Sequence, residues 1–263
     1  WPSGVIGTRG WTTEDSNGFW SPPVSNPPTG KGTVIAISDT GILSSHPALL
    51  NKVTREGCVN IADPECLGGP FFGVGRGQPS TGSNAHDHGT HVAGIAAARR
   101  VTLPSGVVVG PGVAPDAQLI SYRTCWKFNR CTSSGAINAM GDALTQIGLG
   151  TNITSFNMSH GFVPWGFPDA SVSTVVTLAA ADVVVTHSGG NGGRTSYCDL
   201  NAGHFIYEVA NLSRHMTPYP STDFRSGCTD VWAPGDQIWS SGFDASNVPN
   251  AIGYTGASMA APH

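Results

Sequence analysis

The sequence predicts an α/β fold, a three-layer sandwich in which helices flank a mostly parallel central sheet. Apolar runs rich in Val and Ile alternate along the chain with segments of helical periodicity, and this alternation implies βαβ crossovers. A hydrophobic share of 39% is enough for a packed core. Because neither a repeat nor a linker divides the 263 residues, we expect residues 1–263 to form a single domain.

The first half of the chain carries two of the predicted elements. Residues 1–32 are rich in Pro, Gly and Trp without periodicity, and we expect them to wrap the surface. Residues 33–38 predict a buried strand that ends at Asp39. Residues 51–84 hold many glycines, prolines and polar residues and predict a long loop. The small residues of 88–100 predict a helix that packs very close to the sheet.

The second half continues the alternation. Residues 118–122 predict a strand, and residues 134–147 predict a helix with Ser134 as its N-cap and Gly148 as its stop. A short strand is predicted at 153–158, followed by one more helix at 172–181. Further short strands are predicted at 183–185, 206–209, 231–233 and 238–240. In parallel sheets of this kind, ligands bind beyond the carboxyl ends of the strands.

Charge and hydropathy exclude some partners. The net charge is −4 with 13 Lys and Arg residues, which gives little basis for binding nucleic acid. No apolar run approaches the ~18 residues of a membrane span. We therefore expect no nucleic acid or membrane partner. We also expect a monomer.

The six cysteines contain no CxxC pair, which weighs against a structural zinc site. Their spacing suggests three disulfides, although six cysteines allow many pairings: Cys58–Cys66, Cys125–Cys131 and Cys198–Cys228. An even number of cysteines in a chain of low charge favours an oxidising compartment. The alternative is a set of buried free thiols in a cytosolic enzyme.

Three segments carry polar residues where packing alone would not place them. Asp39-Thr40-Gly41 follows a buried strand, residues 86–94 open a helix with three histidines, and residues 256–262 place Ser258 at another helix start. Each has an ordinary structural explanation, since Asp is common in turns and Ser at N-caps. The histidines could also ligate a metal, but no HExxH motif is present.

Taken together, the three segments indicate nucleophilic catalysis. A serine hydroxyl is a poor nucleophile at neutral pH and needs an adjacent base to take its proton. A neutral His can supply that base, and a buried carboxylate can fix its tautomer. The chain order Asp39, His88, Ser258 is one of the known orders of such a triad.

These residues resemble the subtilisin-like serine proteases. The resemblance runs from about Gly30 to His263. The matching segments, in family order, are Asp39-Thr40-Gly41-Ile42 with His46-Pro47, His88-Gly89-Thr90-His91-Val92-Ala93-Gly94, Gly112-Val113-Ala114-Pro115, Asn157-Met158-Ser159-His160-Gly161, Ala233-Pro234-Gly235 and Gly256-Ala257-Ser258-Met259-Ala260-Ala261-Pro262-His263. The resemblance implies a secreted endopeptidase that cleaves protein or peptide substrates through an acyl-enzyme. It also implies a precursor with an N-terminal pro-segment, in keeping with a chain that begins at Trp1.

The resemblance assigns the catalytic roles. Ser258 is the nucleophile, His88 the general base and acid, and Asp39 the orienting carboxylate, while His91 has no catalytic role. Asn191, among glycines after an apolar run, matches the family's oxyanion Asn, which acts with the backbone N–H of the nucleophile. Loss of such a donor costs about 10²–10³-fold in turnover, a range that comes from subtilisin itself.

The resemblance also implies how a substrate binds. Extended substrate backbone pairs with one triplet as an added strand would, and a second triplet forms the other wall of the pocket. These triplets are Ser159-His160-Gly161 and Ser188-Gly189-Gly190. Relatives mostly carry Leu where this chain has His160. We therefore expect His160 to reduce the preference for large apolar side chains and to make subsite affinity pH-dependent.

Rival interpretations remain open. Sedolisins have Glu in place of His88 and Asp in place of Asn191, so both residues argue against that family. A catalytically silent, peptide-binding member of the fold is the alternative from another class. A lipase or esterase would carry a Gly-x-Ser-x-Gly elbow, which is missing.

Two further expectations concern the end of the chain and metal ions. Family members continue the nucleophile's helix for several turns, so we expect the C-terminal helix of the domain to extend past His263. The chemistry requires no cofactor, but many relatives bind structural calcium. Candidate calcium oxygens, without an EF-hand-type loop to join them, occur on Asp63, Glu65, Asp223 and Asp230.

Overall fold

The structure, a computed structural model, describes seven stretches of the chain. These are residues 28–60, 62–66, 71–80, 86–126, 131–161, 169–194 and 205–263. The N-terminal segment expected to wrap the surface lies almost wholly outside them, and so does Cys198. Among the described residues, no helix combines the length and the apolarity that crossing a membrane requires.

Twelve strands are found in the described part of the chain. They are β1 (Val34–Asp39), β2 (Val53–Cys58), β3 (Phe71–Phe72), β4 (Val101–Thr102), β5 (Val108–Val109), β6 (Gln118–Arg123), β7 (Ile153–Met158), β8 (Val184–Ser188), β9 (Tyr207–Leu212), β10 (Thr229–Pro234), β11 (Ile238–Phe243) and β12 (Pro249–Tyr254). Eight of them form one sheet in the order β10-β9-β8-β7-β1-β6-β2-β3. Every neighbouring pair in this sheet is parallel except β2 and β3. The predicted mostly parallel sheet is therefore confirmed.

Helices cover both faces of the sheet. They are α1 (His88–Ala97), α2 (Ser133–Gly148), α3 (Asp169–Ala180) and the short α4 (Ala257–Ala260). One apolar cluster joins α2 and α3 to one face, around Phe156 and Met140. A second cluster joins α1 to the other face, around Leu119 and Val92. The arrangement is the predicted three-layer α/β sandwich.

The structure corrects the predicted loop at 51–84, because β2 and β3 lie within it. Charged residues in β2 hid the strand from a search for apolar runs. Arg55 is bonded to Asp142 on α2, and Glu56 is bonded to Gln78 and to the backbone of Gly75. These partners are distant in sequence, so the local pattern could not reveal how the charges are compensated.

Smaller corrections concern the ends of elements. The N-cap of α2 is Thr132, whose hydroxyl accepts from the Gly135 N–H at 3.1 Å, and not Ser134. The sequence predicted a strand at 238–240 but not its antiparallel partner β12, with which β11 forms a hairpin. Two of the predicted cysteine pairs are joined in the structure, Cys58 with Cys66 and Cys125 with Cys131.

Candidate active site

Three neighbouring parallel strands end at the same edge of the sheet and bring the predicted residues together. Asp39 is the last residue of β1, Ser159 directly follows β7, and Ser188 is the last residue of β8. In the sheet, β7 lies between β1 and β8. This edge is where parallel α/β sheets bind their ligands.

Asp39 and His88 form a buried, hydrogen-bonded pair. The Nδ1 atom of His88, the first residue of α1, lies 2.8 Å from Asp39 Oδ1, and both side chains are buried. The same carboxylate oxygen accepts the Thr40 N–H at 2.7 Å. Burial opposes ionisation of Asp39, but the charge and hydrogen bond of His88, with smaller effects of His160 and Thr40, hold its pKa below the ordinary value.

Backbone hydrogen bonds and a close helix approach fix the position of Asp39. Its carbonyl oxygen accepts the N–H groups of Thr124 at 2.7 Å and Cys125 at 3.0 Å. Gly89 on α1 lies against the turn after β1, where an added Cβ would be 2.5 Å from the Gly41 carbonyl oxygen. Only a glycine allows α1 to bring His88 this close to the strand end.

Ser258 lies in the first turn of α4 and lines a cavity of about 260 Å³. His88 and Asn191 line the same cavity, together with His86 and residues 254–256 and 259. The cavity thus brings together the predicted nucleophile, base and oxyanion donor. The carboxylate Asp39 lies behind His88, away from this surface.

A chain of polar side chains holds the Ser258 backbone. The Ser159 hydroxyl donates to the Ser258 carbonyl oxygen at 2.8 Å. Asn157 Nδ2 donates to Ser159 Oγ at 2.9 Å, and the Thr186 hydroxyl donates to Asn157 Oδ1 at 2.9 Å. Sequence reasoning did not assign Asn157 or Thr186 a part in the site. Their signal is a polar residue inside a β-branched or apolar run.

Asn191 is oriented by the turn that precedes the nucleophile. Its Oδ1 atom accepts the Ala257 N–H at 2.8 Å. With the oxygen engaged there, the Nδ2 group is the part of the amide that can donate into the cavity. The Asn191 side chain therefore contacts the same turn of the chain that carries Ser258.

The three histidines of residues 86–91 do not converge as metal ligands. The Nδ1 atom of His88 is bonded to Asp39, and His91 Nε2 donates to the carbonyl oxygens of Ile238 at 3.0 Å and Ile252 at 3.1 Å. Burial, and then the charge of His88, lower the pKa of His91 to about 3. The Nδ1 atom of His86 accepts the backbone N–H of His88 at 3.2 Å.

His160 lies next to the strand that carries Asp39, and its predicted effect on a subsite stays a prediction. Its ring is buried and does not line the cavity, and Nε2 lies 3.2 Å from the Ser38 hydroxyl, behind Asp39. Burial lowers the pKa of His160 to about 4, with Asp39 opposing the shift. The ring is thus neutral near pH 7.

The candidate calcium residues already have partners. Arg123 is paired with Asp63 at 3.0 Å and with Glu65 at 3.2 Å. Arg194 is paired with Asp223 at 2.8 Å, and the Asp230 carboxylate accepts the N–H of Glu208 at 2.9 Å. Asp63, Glu65 and Asp223 are thus paired with arginine and Asp230 with a backbone N–H, and structural calcium stays a prediction that these contacts do not test.

Comparisons with known proteins identify one family. The model of the subtilase family matches residues 30–263. The chain is 28% identical to the extracellular serine proteinase of a Thermus species, over 89% of this chain and 49% of that protein. It is 27% identical to the intracellular serine protease of Paenibacillus polymyxa, over 92% of this chain and 67% of that protein.

A solved structure shows the same architecture. The chain is similar to sphericase, with a TM-score of 0.68 and 26% identity, over 92% of this chain and 77% of that one. The chain spans about half the length of the Thermus relative and two thirds of the Paenibacillus relative.

Proposed function

This chain belongs to the subtilase family, a family of serine endopeptidases, and from this premise we propose that it hydrolyses peptide bonds through Asp39, His88 and Ser258. One observation carries the proposal: a histidine held 2.8 Å from a buried carboxylate lines one cavity with a serine and with an asparagine amide. A neutral imidazole with its Nδ1–H on a carboxylate presents Nε2 as the base.

The acylation step uses these groups in turn. His88 Nε2 takes the hydroxyl proton as Ser258 Oγ attacks the carbonyl carbon of the substrate. The resulting imidazolium is stabilised by Asp39, which stays ionised because its pKa is lowered. The Asn191 amide and the Ser258 N–H donate to the developing oxyanion. His88 then gives its proton to the leaving amine, and water hydrolyses the acyl-enzyme by the reverse sequence.

Substrate binding is assigned to the backbone next to the triad. We infer that an extended peptide pairs with residues 159–161 and that Ser188, Gly189 and Gly190 form the facing wall. The ends of β7 and β8 place these two segments beside each other at the edge of the sheet. Ser159 links the first segment to the nucleophile, because its hydroxyl donates to the Ser258 carbonyl oxygen.

The compartment and processing are also proposals. We propose that the protein is secreted and monomeric, that it matures from a precursor with an N-terminal pro-segment, and that its paired cysteines are disulfides. Pairing of Cys58 with Cys66 and of Cys125 with Cys131 supports an oxidising compartment. No cofactor is needed, since the nucleophile, base and oxyanion donors are all groups of this chain.

Hydrolysis of a chromogenic peptide by wild-type protein and two serine variants tests the proposal. Ser258→Ala should abolish turnover, and Ser134→Ala is the matched control because Ser134 also lies in the first turn of a helix, on an exposed face of α2. A metal chelator should leave the wild-type rate unchanged. Equal, measurable rates for the wild type and Ser258→Ala would overturn Ser258 as the nucleophile. No hydrolysis by folded wild type would favour the silent peptide-binding alternative.

A further inference from the structure

The loop that carries Asn191 has little conformational restraint of its own. Four glycines surround Asn191, at positions 189, 190, 192 and 193. Gly190 and Gly193 adopt positive φ angles of 102° and 67°, which side-chain-bearing residues rarely adopt. Because glycine leaves the backbone free to move, the position of Asn191 must be fixed by contacts from outside the loop.

Asp223 supplies these contacts on both sides of Asn191. Its backbone N–H donates to the Gly190 carbonyl oxygen at 2.9 Å. Its carboxylate accepts the Arg194 N–H at 2.7 Å and lies against Gly192. A single buried residue therefore holds the backbone on both sides of Asn191, at Gly190 before it and at Arg194 after it.

The carboxylate fits closely against the loop. A Cβ added to Gly190 would lie 2.4 Å from Asp223 Oδ2, and one added to Gly192 would lie 3.0 Å from Asp223 Oδ1. The glycines at these positions thus make room for the carboxylate as well as for the turn. Two more backbone bonds tie the same region, from Gly193 N to Ser221 O at 2.9 Å and from Phe224 N to Arg194 O at 3.0 Å.

Arg194 neutralises the buried charge. Its Nη2 donates to Asp223 Oδ2 at 2.8 Å and its Nε donates to Oδ1 at 3.2 Å. The Asp223 side chain has no exposed surface, whereas that of Arg194 is 51% exposed. Burial opposes ionisation of Asp223, yet these donors hold its pKa below the ordinary value. The loop is therefore held by charge-assisted hydrogen bonds, which are stronger than neutral ones.

We propose that Asp223 is a positioning residue for the oxyanion hole, acting through Asn191, and that Arg194 is its counter-ion. The inference rests on the proposed function, because it assumes that the Asn191 amide stabilises the oxyanion. Asn191 Oδ1 is bonded to the Ala257 N–H. A shift of the glycine loop would break this bond and turn the Nδ2 donor away from the substrate carbonyl.

A double-mutant cycle between Asp223→Asn and Asn191→Ala tests the proposal. Asp223→Asn keeps the shape of the side chain but replaces an acceptor oxygen with a donor that faces N–H groups. Since a displacement of about 1 Å can cost about 10²-fold in rate, we expect kcat to fall about 10- to 100-fold with KM little changed. In the Asn191→Ala background the same substitution should change kcat by less than about 2-fold, because the donor that it positions is already gone.

Asp142→Asn is the matched control. Asp142 is also a carboxylate paired with an arginine, Arg55, with the Asp side chain buried, but it does not line the cavity. Its loss should lower the melting temperature and leave kcat per active site unchanged. Sites are counted by titration with a fluorophosphonate. If Asp223→Asn does not fold, Arg194→Ala takes its place in the cycle, with a smaller expected loss because it leaves the backbone bonds to Asp223 in place.

Each outcome decides a different claim. The proposal is supported if Asp223→Asn lowers kcat when Asn191 is present and leaves kcat nearly unchanged in the Asn191→Ala background. Equal losses in both backgrounds, or a lower melting temperature with unchanged kcat as in the control, overturn the role of Asp223 and leave the proposed function intact. An unchanged kcat for Asn191→Ala alone overturns the oxyanion assignment itself.

Discussion

Gly89→Ala tests how closely α1 must approach the end of β1. A Cβ at position 89 would lie 2.5 Å from the Gly41 carbonyl oxygen and 3.1 Å from both Cβ and Oδ1 of Asp39. The first contact is with the backbone of Gly41, which already has a positive φ of 98°. The Gly41 backbone therefore has little freedom to move away from the added Cβ. The helix must therefore move away from Asp39 and take His88 with it.

These contacts determine how much stability and turnover Gly89→Ala should lose. Overpacking of this kind costs about 1–3 kcal/mol of stability. A helical Ala gains up to about 1 kcal/mol over Gly, so the net change should be destabilising. The larger effect is on catalysis, because moving His88 by part of an ångström lengthens its 2.8 Å contact with Asp39. We expect turnover to fall by about 10-fold or more, toward the ~10²-fold that a 1 Å misplacement costs.

Gly141→Ala on α2 makes the same exchange without the clash, since no heavy atom lies within 4 Å of a Cβ built there. This variant should be up to about 1 kcal/mol more stable, with unchanged turnover. Urea denaturation and steady-state hydrolysis of one peptide measure both variants. The reasoning is refuted if Gly89→Ala matches Gly141→Ala in both stability and turnover.

Three other predictions follow from the described contacts. Ser159→Ala removes the 2.8 Å bond to the Ser258 carbonyl and should cost about 1–3 kcal/mol together with part of the turnover; an unchanged melting temperature and rate would contradict this. His91 and His160 have pKa values of about 3 and about 4 in the folded chain, against about 6.5 unfolded. Between these pH values the unfolded chain therefore binds more protons than the folded chain. The free energy of unfolding should fall as the pH drops from about 6.5 to 4, by up to ~1.4 kcal/mol per pH unit for each histidine. Equal urea midpoints at pH 7 and pH 4.5 would contradict this prediction. Asp63→Asn breaks an ion pair with Arg123, so the melting temperature of this variant should fall equally with and without calcium. A fall seen only with calcium would show that Asp63 is a metal ligand.

The sequence was sufficient for features that depend on local pattern. Strand β1 and the residue that follows its apolar run, Asp39, could be found because β-branched residues mark a buried strand and the polar residue marks its end. The helix start at His88 and the serine at α4 were recognisable because small residues surround each of them. Their convergence follows from parallel strands that share one carboxyl edge.

Features that depend on distant partners were not predictable in this way. Strand β2 was missed because Arg55 finds its partner Asp142 on another element, 87 residues away. The contact between the buried His160 ring and Ser38 was not predictable, because sequence position does not determine on which side of a strand end a side chain packs. Asp223 was considered only as a calcium oxygen, since its partner Arg194 is 29 residues away.

Labelling with a fluorophosphonate tests the central claim most directly, because this reagent reacts with a serine only when base and oxyanion donors activate it. We expect native protein to carry one adduct, mapped by mass spectrometry to Ser258, that is absent in Ser258→Ala and retained in Ser134→Ala. Folded wild-type protein without an adduct, or an adduct that survives Ser258→Ala, would contradict the assignment of Asp39, His88 and Ser258 as the catalytic residues.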